Sequence, residues 1–127
     1  MIKVVAAIIK RDNLYLIARR AKHKDHPGKW EFPGGKIDHG ETPEEALERE
    51  LLEEFNISTK TGTHLVSIQH NYTSLQIELM AYEVSILGGT FQLTDHDKIA
   101  WVRWSDMEHY ELSGADFMIC KQLGHKL

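Results

Sequence analysis

The chain has 127 residues, of which 42% are hydrophobic and 27% are charged, proportions that are ordinary for one globular domain. The formal net charge of −4 argues against a protein that coats nucleic acid, because such proteins present a basic face. Cys120 is the single cysteine, which excludes an intrachain disulfide. The apolar run at residues 2–9 is too short to span a bilayer and lacks a signal-peptide cleavage pattern. We therefore expect one domain over residues 1–127, in the cytoplasm, with no membrane and no nucleic-acid polymer as partner.

Strand patterns open the chain. Residues 2–9 are nearly all apolar and rich in β-branched side chains, as in a strand that is buried on both faces. Residues 11–13 have turn chemistry, and residues 14–18 are predicted to be the hairpin partner of the first strand. The polar, basic segment at residues 19–29 is predicted to be a loop.

An acidic helix is predicted next, because seven of the fourteen residues at positions 41–54 are glutamates that follow a clear helix start. Thr42 is suited to the N-cap, Pro43 to the first helical position, and Glu45 to the return bond of a capping box. Asn56 is suited to a left-handed stop.

The helical period divides this helix into two faces. At about 100° per residue, Leu47, Leu51 and Phe55 form one apolar stripe. The neighbouring arc gathers three carboxylates, those of Glu50, Glu53 and Glu54. Like charges at this spacing repel, so the arc is either a well-solvated acidic face or a site for a hard divalent cation. Composition alone leaves both interpretations open.

The second half of the chain alternates between strands and turns and ends in a helix. Residues 65–72 and 75–82 alternate in polarity around a turn at residues 73–74. The glycine pair at 88–89 breaks the second of these strands, and residues 99–104 supply another. A final helix is predicted to start at Ser113 and to continue to the end of the chain.

One long spacing pattern joins the glycine pair to the acidic helix. Gly35 is followed after five residues by Glu41, and then after seven residues by a run from Arg49 to Ile57. This pattern resembles the Nudix box, G-x5-E-x7-R-E-U-x-E-E-x-G-U with U apolar, and departs from it only where Asn56 replaces the last glycine. The flanking residues 30–36, Trp-Glu-Phe-Pro-Gly-Gly-Lys, resemble the MutT branch. The resemblance implies an α/β fold, an α/β/α sandwich around a mixed β-sheet.

The resemblance also implies an activity and a metal site. MutT-like enzymes direct water at a nucleoside triphosphate, releasing a nucleoside monophosphate and pyrophosphate, and the reaction demands mainly positioning and charge neutralisation. By match to the family motif, the Mg²⁺ ligands, with Mn²⁺ as a substitute, are Glu50, Glu53, Glu54 and the main-chain carbonyl of Gly34. Among these, Glu50 is the first choice for general base. The family often adds an acidic ligand from a later loop, where this chain has Asp95, with Asp97 as the second choice.

The remaining site residues are assigned around the box. Arg49 and Glu41 are expected to hold the loop against the helix and so to support metal binding indirectly. Contacts to phosphate are expected from Lys36 and Arg20. These four residues surround a substrate site without specifying its base.

Selection of the base is assigned to three further residues. Glu31 and Phe32 resemble pocket residues of the MutT branch, with Phe32 available to pack on a base. Asp116 either reads the base or closes a capping box with Ser113. As a carboxylate it would accept from cytosine N4, and as a protonated acid it would donate to an oxidised guanine.

The expected function is therefore a Mg²⁺-dependent pyrophosphohydrolase for an oxidised dGTP or a CTP-type nucleotide, with a role in sanitising the nucleotide pool. Two alternatives stay open: hydrolysis of another nucleoside-diphosphate derivative, and a non-catalytic nucleotide-sensing domain. The expected oligomeric state is a monomer or a homodimer.

Overall fold

The computed structural model describes residues 1–124, so the predicted end of the terminal helix lies partly outside the described residues. The strands are β1 (Ile2–Ile8), β2 (Lys10–Arg11), β3 (Leu14–Arg20), β4 (Trp30–Glu31), β5 (Gly34–Lys36), β6 (Ile57–Tyr72), β7 (Leu75–Gly89) and β8 (His96–Val102). The helices are α1 (Pro43–Phe55), a 3-10 helix (Trp104–His109) and α2 (Gly114–Leu123). Within this range no helix is both long enough and apolar enough to cross a bilayer.

The strands form two sheets of four strands each. The first has the order β5-β1-β7-β6, in which β1 runs parallel to β7 while the other neighbours are antiparallel. In the second sheet β3 pairs with β2, β4 and β8, always antiparallel. The combination of parallel and antiparallel pairing confirms the predicted mixed sheet.

Alternate residues of β1 enter two separate cores. Val5 and Ala7 pack in the cluster that contains the apolar stripe of α1. Ala6 and Ile8 pack in the other cluster, which contains Ile119 of α2. Because side chains alternate across a strand, the two helices cover opposite faces. The arrangement confirms the predicted α/β/α sandwich.

Several predicted boundaries are wrong, most of them because pairing with a distant segment sets where a strand starts and ends. Strand β6 starts at Ile57 rather than at residue 65, and β7 continues to Gly89 rather than ending at residue 82. The hairpin partner of β3 is β2 rather than β1, because the chain passes from the first sheet to the second at Ile9. Arg19 and Arg20 lie in β3 rather than in the loop, since β8 pairs with them. The last strand starts at His96, and Trp104 begins the 3-10 helix instead of ending a strand.

Candidate active site

Helix α1 begins and ends as its sequence predicts. The hydroxyl of Thr42 accepts from the backbone N–H of Glu45 at 3.1 Å, and the Glu45 carboxylate accepts from the N–H of Thr42 at 2.9 Å. Asn56 takes a left-handed conformation with φ 59° and donates its N–H to carbonyls of the last turn. It therefore ends the helix in the way that a glycine at this position would. The three stripe residues and Ala46 are buried. The start and end of the helix are therefore set locally, and burial of the apolar stripe sets its rotation.

Two glycines let the β5 segment approach its neighbours closely. A Cβ on Gly34 would overlap the backbone carbonyl of Val5 in β1. A Cβ on Gly35 would overlap the carboxylate of Glu50. The space that Gly35 leaves open is thus occupied by a side chain of the acidic arc, which draws the loop and the helix into one site.

Arg49 connects this loop to the helix through several hydrogen bonds. Its Nε and Nη2 donate to both carboxylate oxygens of Glu41, at 2.6 and 2.9 Å. Its Nη1 donates to Glu50 at 3.0 Å and to Glu53 at 3.1 Å, and its Nη2 also donates to the carbonyl of Lys36 at 3.2 Å. These bonds raise the pKa of Arg49 and, with the backbone N–H of Asp38, lower the pKa of Glu41. The contacts are those expected of residues that hold the loop against the helix.

The surroundings of Glu54 fit a bound divalent cation. Burial and then the neighbouring Glu50 raise the pKa of Glu54 to about 9, and Asp95 and Glu31 add further negative charge. A carboxyl group in such surroundings ionises when a positive charge accompanies it. Hard divalent cations take carboxylate and carbonyl oxygens as ligands. Glu50, Glu54 and the carbonyl of Gly34 are the groups that suit such an ion here.

The carboxylate side chains of this region are not arranged as a complete set of metal ligands. Within residues 1–124, no three His, Cys, Asp or Glu side chains stand in a metal-binding group. The Glu53 side chain is 60% exposed and is bonded to Arg49. A cation at this site would therefore have to draw the side chains together, and direct binding by Glu53 stays a prediction.

Of the two predicted acidic ligands from the later loop, Asp95 lies near Glu54 of the acidic arc and Asp97 does not. The Asp95 carboxylate is 3.1 Å from Lys24 Nζ and close enough to Glu54 to raise its pKa. Asp97 pairs instead with Arg19 Nε at 2.7 Å. Of the two predicted acidic ligands only Asp95 faces the acidic arc, and its contact with a metal stays a prediction.

One cavity of about 530 Å³ extends from the acidic arc to the first turn of α2. Its acidic end contains Gly34, Gly35, Glu50, Glu54 and Asp95. Its opposite wall is apolar and includes side chains of the β1 and β7 strands, closed by Phe32, Tyr72, Ala115 and Asp116. The volume suits a small ligand with one charged and one flat apolar part.

The two residues predicted to bind phosphate, Arg20 and Lys36, both line this cavity, but their side chains differ in the contacts that they make. Arg20 donates from Nε to the carbonyl of Asp25 at 3.1 Å, and its Nη1 lies 3.7 Å from Glu31. Lys36 is exposed, and its backbone carbonyl, rather than its amine, is bonded to Arg49. Their contacts with a phosphate chain stay predictions.

Asp116 does not close a capping box. Its Oδ1 accepts from the backbone N–H of Phe32 at 2.9 Å. The backbone N–H of Ser113 donates to the carbonyl of Trp30, and Ser113 makes no side-chain cap bond. Burial, and then Glu31, raise the pKa of Asp116 well above its usual value. The capping interpretation is wrong because β4 takes up the groups that such a box would use.

Glu31, the last residue of β4, and Phe32, the residue that follows it, are held by different contacts. The Phe32 ring is buried and stacks on Trp104, with ring centroids 5.8 Å apart. Glu31 accepts a hydrogen bond from His96 Nε2 at 2.8 Å. Both residues line the cavity, as predicted for residues of a base pocket, while direct contact with a base stays a prediction.

Sequence reasoning missed His96. It follows the predicted ligand Asp95, but its side chain is fully buried and lies between Glu31 and Glu54. A period of two counted back from the buried Val102 does not identify it, because Val102 packs in the cluster of α2 whereas His96 stacks on Phe55 in the cluster of α1. The register shift opposite Arg19 and Arg20 changes the face of the strand on which residue 96 lies, and a local strand pattern does not reveal that shift.

Comparison with known proteins gives the family. The NUDIX domain family model matches residues 1–119. The CTP pyrophosphohydrolase of Escherichia coli K12 is 40% identical over 116 residues, which are 91% of this chain and 86% of that protein. The putative 8-oxo-dGTP diphosphatase 2 of Mycobacterium tuberculosis H37Rv is 36% identical over 117 residues, 89% of this chain and 81% of that protein.

Solved structures agree with this result. The solution structure of the E. coli ORF135 protein has a TM-score of 0.85 and 35% identity, covering 98% of this chain and 89% of that one. The MutT Nudix hydrolase from Burkholderia pseudomallei has a TM-score of 0.84 and 26% identity, covering 96% and 97%. Because the family model matches residues 1–119 and the 40% identical relative covers 91% of the chain, the chain belongs to the Nudix family and is a hydrolase acting on acid anhydrides.

Proposed function

We propose that this Nudix hydrolase cleaves a cytosine nucleoside triphosphate, CTP or dCTP, to the monophosphate and pyrophosphate. The observation that carries the choice of base is Asp116, a buried carboxyl group held at the apolar end of the cavity by the Phe32 N–H. A carboxyl oxygen accepts a hydrogen bond from the N4 amine of cytosine. The relative that is 40% identical bears the name CTP pyrophosphohydrolase, which supports the same choice.

The acidic end of the cavity supports the proposed reaction. Mg²⁺, with Mn²⁺ as a substitute, would be held by Glu50, Glu53, Glu54, Asp95 and the carbonyl of Gly34. The ion supplies neutralisation of the triphosphate charge and makes water easier to deprotonate. Glu50 would accept the proton of the attacking water; the position of its carboxylate beside Gly35 and at the cavity supports this role.

The charged groups around the acidic end support a fixed position for the triphosphate. Arg20 and Lys36 line the cavity and would bind phosphate oxygens. Arg49 and Glu41 act on metal binding indirectly, because the hydrogen bonds between them hold the loop that carries the Gly34 carbonyl. Catalysis of this kind depends on positioning and charge rather than on a covalent intermediate.

Oxidised dGTP is the second candidate substrate. The raised pKa of Asp116 favours a protonated acid, and a protonated carboxyl group can donate to the O6 carbonyl of a guanine derivative. The 36% identical relative from M. tuberculosis has a name that refers to 8-oxo-dGTP. Sanitation of the nucleotide pool would be the role of the enzyme with this substrate.

A panel assay tests the proposal. The protein is incubated with CTP, dCTP, 8-oxo-dGTP, dGTP, ATP and ADP-ribose, with Mg²⁺, with Mn²⁺ and with a chelator, and pyrophosphate is measured separately from phosphate. We expect pyrophosphate and CMP from CTP, with the highest kcat/KM for a cytosine nucleotide and no turnover with chelator. Faster release of pyrophosphate from 8-oxo-dGTP would favour the second candidate. Binding of a nucleotide without turnover would contradict the proposal and favour a sensor.

A further inference from the structure

The His96 side chain is the one buried basic group at the boundary between the acidic helix and the base pocket, among the residues that the structure describes. Its side chain has no exposed surface. Its ring stacks on Phe55, the last residue of α1, with centroids 4.9 Å apart and 27° between the planes. Phe55 is itself fully buried in the α1 core. The plane of the imidazole is therefore fixed by the helix that carries the acidic arc.

The two ring nitrogens face the two halves of the cavity. Nε2 lies 2.8 Å from Glu31 Oε2. Nδ1 lies 4.0 Å from Glu54 Oε1 and has no hydrogen-bond partner. Because the Glu31 carboxylate accepts, Nε2 is the donor of the short bond. The stronger contact is thus made toward the base pocket and not toward the metal end.

Glu31 has little else to fix it. Its other salt-bridge partner, Arg20, is 3.7 Å away and donates from Nε to the carbonyl of Asp25. The residue that follows Glu31 in the chain is Phe32, whose N–H holds Asp116. The two acidic side chains, Glu31 and Asp116, are therefore held at adjacent positions of the chain, one by the buried imidazole at the last residue of β4 and one by the backbone N–H of the residue that follows β4.

We propose that His96 is a positioning residue that holds Glu31 toward the base pocket and ties that pocket to the end of helix α1. This inference rests on the proposed function, since it concerns how the same cavity receives its nucleotide. His96 acts through Glu31, so its loss weakens nucleotide binding and leaves the hydrolytic step largely intact. The buried stacking contact with Phe55 holds the ring in the orientation in which Nε2 donates to Glu31.

Two variants separate the roles of the ring nitrogens. In His96→Gln the side-chain amide reaches the position of Nε2, and in His96→Asn it reaches only the position of Nδ1. We expect His96→Asn to raise KM for CTP and Kd for CMP about tenfold, the effect of a lost hydrogen bond to a charged group. We expect His96→Gln to change both by less than about threefold and kcat to fall little in either variant. CMP affinity is measured by calorimetry without metal, so it does not depend on turnover.

A double-mutant cycle with Glu31→Gln completes the test. If His96 acts through Glu31, His96→Asn adds less than about a twofold change in Kd once Glu31 is replaced. His64→Asn is the matched control, because His64 bonds Ser67 at 2.8 Å and is not among the residues that line the cavity. Thermal unfolding of every variant shows whether packing has been lost.

The outcomes distinguish the two proposals. Equal effects of His96→Asn and His96→Gln, or an unchanged effect in the Glu31→Gln background, would overturn the role of His96 and leave a packing role. Turnover of no nucleoside triphosphate by the unchanged protein would overturn the proposed function. In that case, a weaker affinity for CMP in His96→Asn than in His96→Gln would still support the positioning role.

Discussion

Asp116 lines the cavity and has one carboxyl oxygen, Oδ1, in a hydrogen bond with the protein. Oδ1 accepts from the Phe32 N–H, and asparagine at this position keeps that acceptor. The second oxygen would become an amide N–H₂, which donates where the carboxyl group accepts. The exchange therefore changes the hydrogen-bonding sense of the pocket with almost no change in size.

We expect Asp116→Asn to lower kcat/KM for CTP at least about tenfold, because the amide donor would face the N4 amine donor of cytosine. Relative turnover of 8-oxo-dGTP should rise, since the amide donates to a guanine carbonyl. Steady-state kinetics with both substrates measure the change, and Asp106→Asn, at an exposed position of the 3-10 helix, is the control. Equal losses for both substrates would argue against a base-reading Asp116.

Glu54→Gln separates activity from stability. The raised pKa of Glu54, caused by burial and then by Glu50, means that folding without metal disfavours its ionised form. Ionisation therefore costs stability as pH rises above the ordinary carboxyl pKa of about 4.5 and toward 9. An amide has no such cost.

We expect Glu54→Gln to reduce kcat by roughly a hundredfold or more, because a group suited to the metal is lost. Its melting temperature at pH 8 without metal should equal or exceed that of the unchanged protein. Activity assays and thermal unfolding in the presence of a chelator measure the two effects. Retention of full activity would remove Glu54 from the site, and a large fall in the melting temperature would show a structural role instead.

At the scale of elements, the contact between β5 and α1 determines the site. Gly34 approaches backbone and Gly35 approaches a side chain. A backbone oxygen cannot move aside, whereas the end of a glutamate side chain can. We therefore expect a substitution at Gly34 to affect the fold and a substitution at Gly35 to affect the chemistry of the site.

We expect Gly35→Ala to cost little stability but to displace the Glu50 carboxylate, lowering kcat/KM and Mg²⁺ affinity about tenfold or more. Gly34→Ala should instead destabilise the fold by a few kcal/mol through overlap with the Val5 carbonyl. Gly88→Ala is the control, since its added Cβ would meet nothing within 4 Å. Urea unfolding and metal titration measure the effects. If Gly35→Ala keeps both affinity and turnover, the packing of Glu50 on Gly35 does not matter for function.

At the scale of the whole molecule, a cation that neutralises the acidic cluster should stabilise the folded state. Such an ion binds the folded chain and not the dispersed carboxylates of the unfolded one. At ten times its Kd it contributes about 1.4 kcal/mol, a rise in Tm of about 4 °C for a domain of this size. We expect Mg²⁺ or Mn²⁺ to produce this rise in a thermal melt, at constant ionic strength, and Glu53→Gln with Glu54→Gln to abolish it. An equal rise in that double variant would assign the stabilisation to general screening.

Where the sequence carries strong local signals, prediction and structure agree. The capping box of α1, its proline start and the left-handed Asn56 were all predictable, because each depends on residues within one or two turns. Strand ends were less predictable. The β3 boundary at Arg20 and the β8 start at His96 depend on pairing between segments about 80 residues apart, and a single strand pattern contains no information on its partner.

The sequence by itself determined the family, the fold class and the acidic helix, because the box residues are held together by helical period and by short turns. Only the tertiary structure decided that Asp116 is held by Phe32 and that His96 lies between Glu31 and Glu54. The first contact joins the residue after β4 to α2, and the second joins β8 to β4 and brings His96 within 4.0 Å of Glu54 in α1. Their partners lie 84 and 65 residues apart in the chain for Phe32–Asp116 and Glu31–His96, so only the packing of the two sheets and the two helices brings them together.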